Sequence, residues 1–492
     1  MTGTPSPVDQ GGHVLRPAPG SPADQGAGAR PAAPGGHALV DPWGRSLVDA
    51  SGRRPTRVHP TPVARAAEPV WYPVQPVFTQ PVRRRPVAST VALAVGFTVI
   101  GVFVLAVLLY FFLFLAPGVL LAASLLAFVP LAIVLTGIWA VDRWEPEPRV
   151  ALLFAFAWGA AVAVGTALLV DYVVGFVTVA VSGGYSDGAD VLGSVVQAPV
   201  VEETAKGLGV LLVLWIFRRS FDGPVDGIVY AATVAAGFAF VENVQYFAVQ
   251  VTEDLSTGGA GVVSVFVVRA LMSPFAHVMY TACTGFALGW AARRTGPYGA
   301  VGWFFVGLVP AIVLHALWNG SLYVVGDWFF AWYLLVQVPI FVAMVLLVVF
   351  LRRNERHVTH DRLAEYAAAG WFGPQEVAML STSAGRRRAR AWASTIGRRA
   401  EMKRFVSVAT RLAFTRQRLL KGRTVTGVRR EARRDESELL AELTESRAAL
   451  QAPVSAFVGH AQQPAATPRG WSGPVAPGAH PGRQAAPGQH RF

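Results

Sequence analysis

Between residues 91 and 351 the chain alternates long apolar runs with short polar breaks. A helix needs about 20 apolar residues to cross a bilayer. By that measure the pattern predicts eight spans, over 91–113, 119–140, 150–172, 193–217, 224–249, 261–291, 299–323 and 328–351. The third can run on toward Val181. Outside this block the pattern changes. Residues 1–86 are rich in Pro, Gly, Ala and Arg, with too few bulky apolar side chains to offset the entropy of ordering, and predict a disordered tail. Residues 353–450 are basic and helical: one stretch, Asp361–Ala369, is stopped by Gly370, a second starts at Pro374, and Arg-rich amphipathic segments follow. Residues 451–492 return to the disordered composition. The fold class is therefore all-α, a polytopic integral membrane protein whose membrane domain spans 87–352.

Composition supports this reading. The chain is 53% hydrophobic and 15% charged, whereas soluble proteins carry about 25% charge. The charge follows the breaks. Arg83, Arg84, Arg85, Arg143, Arg149, Arg218, Arg219, Arg293, Arg294, Arg352 and Arg353 fall before the first run or in every second break. The other breaks hold Asp187, Asp190, Glu253, Asp254 and Asp327. This is the positive-inside pattern, and it predicts a multi-pass cell-membrane protein with both termini cytoplasmic. The net charge of +13 then points to anionic lipid as the partner of the basic C-terminal region rather than nucleic acid. The lone Cys283 excludes a disulfide framework and a CxxC metal motif. No short apolar h-region precedes Val91, so the first run serves as both insertion signal and retained helix.

Ionisable groups in a bilayer core cost roughly 2.5–3.5 kcal/mol each on insertion scales, and they are paired or functional where they persist. Glu202, Glu203, Lys206, Glu242, Arg269, His277 and His315 all fall inside the fourth to seventh runs. Glu202 and Glu203 stand four and three residues before Lys206, so both carboxylates reach its ammonium. Phe238, Glu242 and Tyr246 share one helix face, and Asn319 follows His315 by four. Such a set admits an ion-paired strut between helices. It also admits two chemistries. In one, a glutamate takes a proton from water while His277, His315 and Asn319 stabilise an oxyanion. In the other, Glu and His hold a Zn²⁺ that activates the water. No His-Glu-x-x-His helix, phosphate loop or Ser/Cys nucleophile motif is present.

These residues resemble the PrsW family of intramembrane proteases, within the superfamily that includes CAAX-processing and bacteriocin-self-immunity proteases. The first family motif is similar to Glu202-Glu203-x-x-Lys206 and the second to Phe238-x-x-x-Glu242-Asn243. The histidine motifs match His277 and His315. The segments Asp142-Arg143-Trp144-Glu145-Pro146-Glu147-Pro148 and Asp226-Gly227-Ile228-Val229-Tyr230 are also similar to the family's. The resemblance covers residues 130–325, leaving the eighth run and both tails outside. It implies a protease domain that hydrolyses a peptide bond in or near the transmembrane segment of a membrane-anchored protein, such as an anti-sigma factor. The wider superfamily has Arg where Lys206 stands, so prenyl-protein cleavage is not implied. Within this reading Glu203 is the first choice for general base and Glu202 the second. His277 and His315 are oxyanion stabilisers or, with Glu203 and Glu242, ligands of zinc. Glu242 positions water or a ligand. Lys206 keeps a carboxylate charged, and Arg269, Asn243 and Asn319 support the set. Two rival readings are an ion-coupled transporter, against which the lack of Gly/Pro-broken spans in paired positions argues, and a non-catalytic scaffold.

Overall fold

The computed structural model describes residues 87–182 and 187–451, apart from Arg219, Asp222, Arg293 and 422–425. The predicted disordered tails, 1–86 and nearly all of 451–492, lie outside the described residues, as do Arg83, Arg84 and Arg85. Every described residue is helical or in a short connection, and no strand occurs among them.

Seven helical segments are long and apolar enough to cross a membrane. They are α1 (Val87–Phe114), α2 (Pro117–Asp142), α3 (149–182), α5 (Pro224–Thr257), the interrupted pair α6 (Gly261–Phe266) and α7 (Ala276–Ala292), α8 (Pro297–Val324) and α9 (326–368). The remaining predicted span is α4, 187–216. It falls short of that measure because Glu202, Glu203 and Lys206 all sit within its last nineteen residues. At about 1.5 Å per residue it still exceeds the roughly 30 Å of a hydrocarbon core.

The packing is centred on α5, whose apolar window is 94% buried. α2, α3, α4 and α7 surround it. Close backbone approach makes this possible. A Cβ on Gly227 would lie 1.9 Å from the Gly285 carbonyl oxygen, and one on Gly159 would lie 1.9 Å from that of Val234. Small residues at helix crossings serve the same purpose throughout membrane bundles. Leu105, Phe112, Leu121, Phe305 and Phe350 stand exposed on the outside, the surface a bilayer covers.

Two of the spans carry features that the hydropathy pattern does not show. The sixth predicted span is not one unbroken helix: π-helical turns over Val267–Met272 lead into a break at Ser273–Phe275, and α7 starts at Ala276. Pro274 supplies no N–H and crowds the preceding turn. The helix of the eighth span does not stop at 351: α9 continues to Ala368 as a helical arm.

That arm joins α10 (Pro374–Leu380), α11 (Ser383–Thr395), α12 (Arg399–Lys421) and α13 (Thr426–Gln451). Leu363, Phe372, Leu380, Phe405, Leu412, Phe414 and Leu443 are buried among them, so the basic C-terminal region is a folded helical unit with its own core. Arg386 fastens it to the membrane domain. Its guanidinium lies 3.5 Å from the Trp144 ring centroid and donates to the Trp144 carbonyl at 2.8 Å, the Leu380 carbonyl at 2.6 Å and the Thr410 hydroxyl at 2.8 Å. Two family-like segments meet just behind it. The Tyr230 hydroxyl donates to Glu147, whose own N–H donates to Asp142 Oδ1 at 2.9 Å. Burial, with the negative charge of Asp226 adding to it, pushes the Glu147 carboxyl well above its ordinary range.

Candidate active site

Four spans bring their ionisable groups to one buried place. α4 contributes Glu202, Glu203 and Lys206. The break and α7 contribute His277, the π segment before it Arg269, α5 contributes Glu242, and α8 contributes His315. Lys206 is the hub. Its Nζ lies 3.0 Å from Glu202 Oε2, 2.9 Å from Glu203 Oε1 and 3.1 Å from His277 Nδ1. It also sits 3.7 Å from the Phe238 ring centroid, so every proton of the ammonium is used. The sequence spacing Glu-Glu-x-x-Lys produces this directly, since i,i+3 and i,i+4 side chains share a helix face.

The ammonium assigns the His277 tautomer. Nδ1 accepts from Lys206, which leaves Nε2 to donate to Glu242 Oε2 at 2.8 Å. Glu242 is also paired with Arg269 through a short contact, and Arg269 Nε donates to Asn243 Oδ1 at 2.6 Å. Arg269 thus supports the set by pairing with Glu242. Tyr246 bonds neither; its ring lies 3.8 Å from the Arg269 guanidinium.

Glu203 and Glu202 differ sharply. Glu203 is fully buried, with both oxygens engaged: Oε1 by Lys206 and by His315 Nδ1 at 3.1 Å, Oε2 by the Thr281 hydroxyl at 2.8 Å. Glu202 is 8% exposed and, among the described residues, meets only Lys206 at hydrogen-bond distance, through Oε2. His315 Nε2 stands 3.9 Å from that same oxygen, too far for a hydrogen bond.

Asn319 does not join the set as expected. Its amide donates to the Ser194 carbonyl at 2.8 Å, tying α8 to the π-helical turn Gly193–Gln197 of α4. That bond steadies the segment leading into Glu202. The chain instead offers two groups that sequence reasoning missed. One is Thr281, one helical turn after His277. The other is Tyr280, whose ring stacks on His315 at 5.0 Å and whose buried hydroxyl has no hydrogen-bond partner among the described residues. Spacing gave a signal for both, since positions 277, 280 and 281 share a helix face.

The donor set also suits a metal. Glu202, Glu203, His277 and His315 each offer a ligand atom, all within 4.8 Å of one another. Glu242, expected as a ligand, is not in this group; it is paired with Arg269 and His277 Nε2. Two carboxylates and two imidazoles fit a divalent ion such as zinc. Lys206 Nζ lies within 3.1 Å of three of the four residues, so an ion and this ammonium compete for the same atoms.

Acids, imidazoles and a lysine converging inside apolar spans mark a polytopic membrane protein with a buried polar site as the class. Comparison with known proteins specifies it. The family model described as PrsW family intramembrane metalloprotease matches residues 147–344, starting later than residue 130 and reaching past 325 into most of the eighth predicted span. Protease PrsW of Clostridioides difficile (strain 630) is 28% identical over 246 residues, covering 48% of this chain and 92% of that protein. Protease PrsW of Bacillus subtilis (strain 168) is 29% identical over 189 residues, covering 38% of this chain and 77% of that protein. No solved structure matches the chain. These matches support a PrsW-family intramembrane protease, and so a peptidase.

Proposed function

We propose that the cluster hydrolyses a peptide bond in or beside the transmembrane segment of a membrane-anchored protein, an anti-sigma factor being one such substrate, with Glu202 as general base. The observation that carries the assignment is the contrast within the adjacent pair. A base must reach a water, and Glu202 has a carboxylate oxygen free for one, while both oxygens of Glu203 are occupied. This reverses the order the sequence suggests.

Glu202 takes a proton from water, and the hydroxide attacks the scissile carbonyl carbon. The His315 imidazole faces the same space and stabilises the developing oxyanion, with the Tyr280 hydroxyl as a second donor. Glu202 then returns the proton to the leaving amine as the C–N bond breaks. Glu203 holds His315 and Lys206 in register. Glu242 fixes His277, and Arg269 with Asn243 fixes Glu242. Where a divalent ion such as zinc is bound, Glu203, His277 and His315 hold it, and it supplies Lewis-acid polarisation and a more acidic water. Glu202 keeps its role as base in either case.

The test is cleavage of a fluorogenic transmembrane peptide by the purified protein in detergent and in liposomes. Cleavage inside the apolar stretch supports the reading. Ion flux in liposomes without cleavage would favour the transporter instead.

We also propose that both termini are cytoplasmic and that the exposed Arg387 and Arg388 of α11 meet anionic headgroups. The arginines of alternate connections support this orientation. Counting about 1.5 Å per residue, Glu203 lies roughly 20 Å from the Ile216 end of α4, and Glu242 and His315 roughly 27 Å from Pro224 and Pro297. The cluster then sits nearer the extracytoplasmic side. Reporter fusions at Glu253 and Asp327 should read extracytoplasmic, and fusions after Arg294 and Arg353 cytoplasmic. A cytoplasmic reading at Glu253 would overturn the orientation.

A further inference from the structure

A cavity of about 310 Å³ lies where the sixth span is broken. Its wall includes the broken segment 270–276, Met279 of α7, Trp318 of α8, Ile133 of α2, and Gln337 and Phe341 of α9. Ala270 and Ala276 are the chain neighbours of Arg269 and His277, so the cavity and the catalytic cluster share a wall. Ile133 and Leu271 are exposed, which opens the cavity toward the lipid-facing surface.

Its lining holds one group that an apolar span has no packing reason to carry. Gln337 is 5% exposed and sits at the end of a π-helical turn within α9. It is directed toward the Tyr280 hydroxyl, and yet that hydroxyl has no hydrogen-bond partner among the described residues. The two polar groups stand beside each other at the cavity. A buried polar group left in this state is costly unless something else completes it.

Hydrolysis inside a bilayer creates the complementary need. A peptide bond in a helix becomes accessible only after its local i→i−4 hydrogen bonds open. In hydrocarbon each freed N–H or C=O then lacks a partner, at several kcal/mol per group. A carboxamide is the one neutral side chain that both donates to a carbonyl and accepts from an N–H, in the geometry of the peptide group itself.

We propose that this cavity receives the unwound stretch of the substrate polypeptide next to the scissile bond, and that Gln337 hydrogen-bonds its opened backbone. The occupant is an extended segment of the substrate's own transmembrane helix, entering between α2 and α9. Gln337 is thus a substrate-binding residue that adjoins the Tyr280 hydroxyl without itself taking part in the chemistry. The inference rests on the protease reading above and adds how a helical substrate is opened.

The experiment compares wild type with Gln337→Leu on two fluorogenic transmembrane peptides. One is strongly helical; the other carries Gly and Pro beside the cleavage site, so that its backbone is already open. Leucine suits a membrane span better than glutamine, so folding in detergent is retained. Gln337→Leu should lower kcat/KM about tenfold on the helical peptide, the size of one lost hydrogen bond, and change the opened peptide little. Gln337→Asn should recover part of the loss. Equal rates for both enzymes on both peptides, or an equal loss on both peptides, overturn the proposal; in the first case the cavity holds lipid. A wild type that cleaves neither peptide overturns the protease reading itself.

Discussion

Replacing Glu202 by glutamine should lower kcat by about 10²–10⁴-fold, the range for removing a positioned general base, with KM and detergent melting temperature close to wild type. Glutamine preserves the shape and can still accept from Lys206 at the position Oε2 now holds, 3.0 Å away. It loses only the ability to take a proton. Glu203→Gln should also abolish cleavage, but by another route and with a second signature. Glu203 is fully buried and receives Lys206, His315 and Thr281. An amide presents one acceptor oxygen where the carboxylate presents two, so one of these donors is left unmatched in the interior. Its melting temperature should therefore fall, while that of Glu202→Gln does not. Thermal melts and cleavage rates on the same preparations decide between the two roles. A stable, inactive Glu203→Gln beside a Glu202→Gln that cleaves normally would return the base to Glu203.

Much of this site is legible in the sequence because charge in an apolar run is so costly. Glu202, Glu203, Lys206, Glu242, His277 and His315 stand out against their surroundings for that reason alone, and helical spacing already pairs both carboxylates with the lysine. Spacing within one helix says nothing about which neighbour arrives from another. Asn319 lies one turn after His315, but its amide meets Ser194 of α4. Glu242 looks like a ligand until Arg269 is placed beside it.

The uncharged parts of the site leave a weaker trace. Tyr280, Thr281 and Gln337 cost far less in an apolar run than a carboxylate does, so hydropathy alone passes over them. The break at Ser273–Phe275 sits between Arg269 and His277 in a run long enough to cross a bilayer as one helix, and Pro274 is the mark of it. The C-terminal region shows a different limit. Its arginines read as a surface for lipid, but Arg386 is buried against Trp144 and Thr410. Amphipathic helices hide one face wherever a partner is available, and here four further helices supply each other's core.

The position of Lys206 leads to a second large effect, in metal binding. Its ammonium lies within 3.1 Å of Glu202, Glu203 and His277, three of the four residues able to hold an ion. A positive charge there opposes a divalent cation by direct repulsion and by occupying the ligands' lone pairs. Lys206→Met removes both obstacles and leaves two carboxylates in the interior without their cation, which is strongly destabilising by itself. Without metal this variant should melt well below wild type. Added Zn²⁺ should restore it, because a ligand that binds only the folded state stabilises by RT ln(1 + [L]/Kd), about 2.7 kcal/mol at a hundredfold excess over Kd. The wild type should gain less from the same zinc concentration. His315→Ala in the Lys206→Met background should remove the zinc response, since it takes away one of the ligands. Melting curves across a zinc titration, with bound metal measured by elemental analysis, provide a readout independent of proteolysis. A Lys206→Met protein whose melting temperature and metal content ignore zinc would show that these carboxylates and imidazoles do not hold an ion, and that water activation belongs to the carboxylates alone.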